Sequence, residues 1–254
     1  MTRLVDLSAD VGEHDGDLTL LEVVTSASVA CGGHAGDDRS MREALARAAA
    51  CSTAVGAHPS YADRDGFGRR ELGLPVHAVA QLLADQVGRL SELALVEGGT
   101  VSYVKAHGAM YHRGFWDGEL ASAICETAAR LGCQAVLAEP GAAVLDAAPA
   151  AGLYAVSEGF CDRAYLVSGR LAGRDVAGSV LSDPAAVVAQ GVALALGEAL
   201  RATDGSELLV EARSICLHGD TPGALELARA LRREVEASGV EIAPFASPSG
   251  RSRG

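Results

Sequence analysis

Four of the seven histidines close short apolar runs beside glycine or proline. His34 ends VACGGH at 29–34, His58 ends AVGAH at 54–58, His107 ends VSYVKAH at 101–107 and His218 ends SICLH at 214–218. A β/α chain that delivers polar groups from several strand ends to one mouth produces this pattern, and a barrel builds its chemistry at that face. Side chains i and i+2 share a strand face, so each run brings partners. Asp6, Ser8 and Asp10 share a face, as do Lys105 and His107, then Glu158, Phe160 and Asp162, then Cys216, His218 and Asp220. Charge on apolar strands must pair, bind a ligand or face water. Candidate catalytic residues are therefore Asp10, His34, His58, Lys105, His107, Asp162, His218 and Asp220.

The stretch 56–70, GAHPSYADRDGFGRR, is a long glycine-rich loop after a strand, and loops of that length in compact folds are usually functional. Arg69 and Arg70 either pair with Asp63 and Asp65 or hold an anion, for which guanidinium is well shaped. CGGHAGD at 31–37 is a second turn whose backbone could approach a ligand. Asp10, His34 and His58 come from three successive strand ends and could hold a divalent metal. The same residues could equally do acid–base work without one. No GxSxG elbow occurs, and nothing activates Cys31 as a nucleophile.

The elements that must position these groups alternate along the chain. Strand-like runs begin near Leu4, Ser26, Ala54, Val101, Ala135, Tyr154, Ser214 and Val240. Between most of them lie helical segments with start and stop signals: Asp38 before residues 39–51, Pro75 before a helix that should stop ahead of Gly98, and Asp117 before a segment ending at Gly132. Asp183-Pro184 and Thr221-Pro222 each pair a cap with proline, and Gly239 ends the last helix. Seven or eight strands in βα order predict a mainly parallel, closed (β/α) barrel as one domain over residues 1–246, followed by a short polar tail at 247–254 expected to be disordered. A 49% hydrophobic content supports a sizeable core, and a net charge of −12 argues against a nucleic-acid partner. No apolar run approaches the ~18 residues of a membrane span. No N-terminal targeting signal is visible, and six cysteines without a CxxC pair fit a reducing, cytoplasmic setting. No Walker A or GxGxxG motif is present.

Taken in order, the motifs at 6–13 (DLSADVGE), 26–37 (SASVACGGHAGD), 56–70, 104–111 (VKAHGAMY), 158–165 (EGFCDRAY) and 216–222 (CLHGDTP) resemble those of the LamB/YcsF family. The resemblance runs from Asp6 to about Phe245. Ser8 and Ser28 stand where the family usually has Asn, Ala106 where it has Pro, and Gly159 and Cys161 where it has Val and Ala. Serine keeps a hydroxyl but loses the amide donors, which bears on substrate detail. The resemblance implies a seven-stranded barrel like those of the glycoside hydrolase/deacetylase superfamily. It also implies the role of the A subunit of an ATP-dependent 5-oxoprolinase, opening 5-oxo-L-proline (pyroglutamate) to L-glutamate with subunits B and C. The substrate would be a small anionic lactam and ATP a co-substrate. Glu13, Arg69, Arg70 and Arg163 become candidate substrate-binding residues. The alternatives are a metal-dependent deacetylase or amidohydrolase acting without ATP and a non-catalytic, lactam-binding regulatory subunit.

Overall fold

The computed structural model describes residues 3–246; the tail expected at 247–254 lies outside them. Seven strands run parallel in a closed ring: β1 (Leu4–Val11), β2 (Ser26–Ala30), β3 (Ala54–His58), β4 (Tyr103–Val104), β5 (Ala135–Ala138), β6 (Tyr154–Phe160) and β9 (Ser214–His218). Pairing of β1 with β9 closes the ring, with Asp6 level with Ser214 and Asp10 level with His218. The eighth run is only the two-residue β10 (Glu241–Ile242), which pairs with the start of β1. A short antiparallel hairpin, β7 (Ala199–Arg201) with β8 (Glu207–Leu209), was not expected from the sequence.

Alternation divides the ring into an apolar outside and an inside that is largely polar but carries a second apolar cluster of Tyr103, Ala135, Leu137 and Val156. Val5, Leu7, Ala9, Val29, Val55 and Val136 belong to the main core, together with buried positions of the helices. Asp6, Ser8, Asp10, Ser26, Ser28, Lys105, Glu158 and Ser214 are buried too, on the other face. Tyr103 fills the space between β2 and β3 from within: its hydroxyl lies 3.3 Å from Ser28 Oγ, and a Cβ at Gly56 would come 2.2 Å from its ring.

Helices α1 (Asp38–Cys51), α2 (Val76–Val96), α3 (Gly108–Trp116), α4 (Gly118–Arg130), α5 (Ala143–Ala147), α6 (Pro184–Leu196) and α7 (Ala224–Ala237) follow or separate the strands. Their start signals act largely as expected. Asp117 and Asp183 cap α4 and α6, and Pro75 precedes α2. Two differ. Asp37, not Asp38, caps α1 in a reciprocal capping box with Ser40. Thr221 does not cap α7, which starts after Gly223; its hydroxyl donates instead to Asp162 Oδ2 at 2.7 Å.

Candidate active site

The interior column of the ring carries charge upward to its C-terminal mouth. At its base the Asp6 carboxylate accepts hydrogen bonds from Thr25, Ser26 and Ser214 at 2.6–2.7 Å. Burial still dominates and pushes Asp6 up to about 6. One layer higher, Lys105 Nζ sits 3.0 Å and 3.1 Å from the Asp10 oxygens and 2.9 Å from Glu158 Oε2. Tyr111 donates to the other Glu158 oxygen at 2.8 Å. Burial opposes charge on Asp10, but His58 and Lys105 outweigh it and hold the carboxyl well below its ordinary value. The Lys105 ammonium is likewise held charged by Asp10, Cys216 and Glu158 against its burial.

Beside this column three imidazoles close around Glu13. Each turns one ring nitrogen outward to an acceptor. His58 Nδ1–H donates to the Lys105 carbonyl at 2.8 Å, and His107 Nε2–H donates to the Phe67 carbonyl at 3.0 Å. Ser60 spends its proton on the Tyr61 carbonyl, so its oxygen accepts from His34 Nδ1–H at 3.0 Å. As neutral rings, all three therefore turn lone pairs inward. His34 Nε2 lies 2.6 Å from Glu13 Oε1, His58 Nε2 lies 3.0 Å from His107 Nδ1, and Glu13 Oε1 lies 3.6 Å and 3.4 Å from those two nitrogens. Four acceptors facing one another require protons or a cation between them. Burial, then His58 and His34, push His107 well below its ordinary value, whereas at His58 burial is outweighed by Asp10 and Glu13, which raise it, so a proton on His58 and a cation compete for the same space. The four ligand atoms lie within 4.8 Å of one another. The spacings from Glu13 to His58 and His107 are close to the ~3.3–3.4 Å edge of a tetrahedron with bonds of ~2.0–2.1 Å. Outer nitrogens tied to carbonyls or hydroxyls are the usual support of metal-binding histidines. The donor set fits a divalent ion.

The loop at 59–70 roofs this cluster. Phe67 adopts φ 53°, a strained conformation for an aromatic residue. It packs edge-on against His34 and His107. A Cβ at Gly68 would press on His34 and His107 at 3.0–3.1 Å. Across the mouth, His218 Nδ1 donates to Asp162 at 2.9 Å. The Asp162 carboxylate also accepts from the His218 backbone and from Thr221. Burial opposes these contacts, but they win and lower it to about 2.

These walls enclose a cavity of ≈ 420 Å³ lined by Asp10, His58, Lys105, His107 and His218 and by the arginines Arg69, Arg163 and Arg174. The two adjacent arginines of the sequence separate. Arg69 reaches the cavity and lies 3.8 Å from Asp220 Oδ2, which also pairs with Arg174. Arg70 turns away, itself exposed, to pair with the buried Asp63, a contact that removes it from the expected anion site. Arg163 is buried, with its guanidinium on the Ala172 and Ser179 carbonyls. Asp220 is a rim residue holding two arginines. Asp10, expected to join His34 and His58 around a metal, holds Lys105 with both oxygens and lies 3.4 Å from His58 Nε2; with Cys216 and His218 it forms a second group of possible ligands. Glu13, expected to touch substrate, is the carboxylate that closes on the histidines. Tyr111, His112 and Arg174 also line the site, with Glu139 behind His112. Glu139 could have been found, since it closes the apolar run at 135–138 as the histidines close theirs. Arg174 sits in an irregular segment and carries no such signal.

Three comparisons bear on this geometry. Residues 5–250 match the sequence model of the LamB/YcsF family. The chain is 47% identical to a Streptomyces griseus protein named for the A subunit of 5-oxoprolinase, covering 96% of this chain and all of that one. It is 42% identical to an Agrobacterium fabrum protein of the same name, covering 96% and 98%. The solved lactam utilization protein of Thermus thermophilus superposes with a TM-score of 0.87 at 38% identity, over 95% of this chain and 99% of that one. The catalytic domain of a peptidoglycan N-acetylglucosamine deacetylase from Eubacterium rectale, at 12% identity and a TM-score of 0.56 over 100% and 94%, shares the fold. With nearly its whole length matched, the chain belongs to the LamB/YcsF family.

Proposed function

We propose that this chain opens the lactam of 5-oxo-L-proline to L-glutamate, as the A subunit of an ATP-dependent 5-oxoprolinase working with subunits B and C. What carries the reading is near-full-length similarity, up to 47% identity, to proteins of that name. The cavity supports it, since three arginines and several acid–base groups line the same space. In a chain of net charge −12, Arg69, Arg163 and Arg174 suit the substrate carboxylate. Asp162 fixes His218 so that its Nε2 is available to take a proton from water. Lys105, held charged by Asp10 and Glu158, lies where it can stabilise negative charge developing on the ring carbonyl oxygen. Glu13, His34, His58 and His107 would hold a divalent ion, which would polarise that carbonyl as a Lewis acid. ATP chemistry is assigned to the assembly, with activation of the lactam oxygen by ATP-derived phosphate preceding attack by water. The cytoplasm is the proposed compartment, supported by six free thiols. Among the described residues no helix is long and apolar enough to cross a membrane.

The three-histidine, one-carboxylate donor set favours one alternative, a metal-dependent amidohydrolase that needs no ATP. Glutamate release from 5-oxo-L-proline, assayed with and without partner subunits, ATP and a chelator, separates the two. Release that requires ATP and partners is expected. Chelator-sensitive amide hydrolysis by this chain alone, without ATP, would replace the first reading by the second.

A further inference from the structure

Glu139 immediately follows β5 and therefore stands at the same mouth as the site histidines. It is buried. Its Oε2 accepts from the Leu171 backbone N–H at 3.2 Å, while Oε1 is buried with no hydrogen-bond partner among the described residues. An unpaired buried carboxylate oxygen is costly and calls for a reason. The neighbour that supplies one is His112, whose Nδ1 lies 3.9 Å away and whose half-exposed ring lines the cavity. The residue types match those of His218 and Asp162, which are already joined at 2.9 Å, while His112 and Glu139 stand 3.9 Å apart.

We propose that His112 and Glu139 form a second histidine–carboxylate dyad, which delivers a proton to the ring nitrogen as the lactam opens. The proposal rests on the lactam reading. With ATP-derived phosphate on the lactam oxygen and the ring nitrogen keeping its hydrogen, water adds to the carbon through a new C–O bond and gives one proton to His218. The C–N bond then breaks with its electron pair going to nitrogen, which takes a proton from the imidazolium of His112 and leaves as a neutral amine, while the new hydroxyl loses its proton to solvent as the carbonyl forms. The resulting acyl phosphate is hydrolysed by a second water to L-glutamate and phosphate. Solvent then reprotonates His112 through its exposed edge. Glu139 is the positioning residue: once the 3.9 Å gap closes as His112 takes its proton, the free oxygen would accept from Nδ1–H, aim Nε2 at the cavity and stabilise the charged ring.

The charges around His112 couple this proton to substrate. Burial lowers its proton affinity, and Arg170, Arg163 and Arg174 of the segment between β6 and α6 add to that. Glu139 faces it from the end of β5, and Tyr111 packs edge-on from its own helix. An anion seated on the arginines cancels their field, so His112 takes up its proton as substrate binds.

Two measurements test this on the full chain. Imidazole NMR should show the His112 pKa rising by about half a unit or more when 5-oxo-L-proline saturates the wild type, with the rise absent in Glu139→Gln. With partner subunits and ATP, His112→Gln should lose about 10²-fold in kcat with KM little changed, and Glu139→Gln should shift the kcat–pH profile. Wild-type kcat and pH profile in His112→Gln would overturn the proposal while leaving the lactam reading standing. If the wild-type assembly leaves 5-oxo-L-proline intact, the lactam reading fails and the proton-delivery proposal fails with it. A His112 pKa that responds identically in wild type and Glu139→Gln overturns the dyad in either case.

Discussion

Lys105 shows how catalytic and structural roles fuse in one side chain. It is the cation between Asp10 and Glu158, all three buried. Removing it takes away a group placed to stabilise an oxyanion and also leaves two carboxylates facing each other without compensation. Breaking a buried ion pair from one side costs roughly 3–5 kcal/mol. Lys105→Met should therefore abolish glutamate release and also lower unfolding stability by that order. Adding Glu158→Gln should restore part of the stability but none of the activity, because residues in one charge network are not additive. Equal stability of Lys105→Met and wild type in urea titrations would show that the network relaxes. His58 shares this charge balance through Asp10, but its ring is also fixed by a backbone carbonyl. Residue types and two-residue spacing were enough to place Asp10, Lys105, His107 and His218 at one mouth. Which carboxylate meets which imidazole was not legible, because Glu13 lies beyond the regular strand and reaches back through a turn.

At the scale of elements, the ring reads directly from the sequence because its outside is so regular. Small β-branched and alanine residues alternate with polar ones, and the seven strand starts follow. The hairpin of β7 and β8 was not legible: its strands are three residues each and too short for a period to emerge. The Thr221 cap was misread because Thr-Pro is a helix-start signal locally, while Asp162, 59 positions away in the chain, is the stronger partner. The polar interior has its own packing requirement at Gly56, where β3 passes the Tyr103 ring. Gly56→Ala would place a methyl 2.2 Å from that ring, and overpacking of this kind costs about 1–3 kcal/mol. Thermal unfolding should register the loss, and Tyr103→Leu in the same chain should recover part of it. An unchanged melting temperature for Gly56→Ala would mean that the strand shifts freely.

Across the whole molecule, the charge pattern makes an acid-range prediction with a definite sign. Paired carboxylates of the interior favour the folded state at neutral pH; Asp162, lowered to about 2, is one. A depressed carboxyl adds stability above its unfolded value, and that stability is lost as pH falls through the folded one. Asp6 acts in the opposite sense. Burial holds it at about 6 despite three hydroxyl donors, so between about pH 4 and 6 the folded chain keeps a proton that the unfolded chain has released. Stability contributed by Asp6 therefore falls as pH rises through that window, by about 3 kcal/mol for a shift of about two units. Asp6→Asn removes the titration without removing the side chain. In urea titrations the stability of Asp6→Asn relative to wild type should improve by about that amount between about pH 4 and pH 7. A difference that stays constant across this range would mean that the three hydroxyls and the polar interior stabilise the carboxylate fully, and that the base of the ring is far better solvated by its own serines than its burial implies.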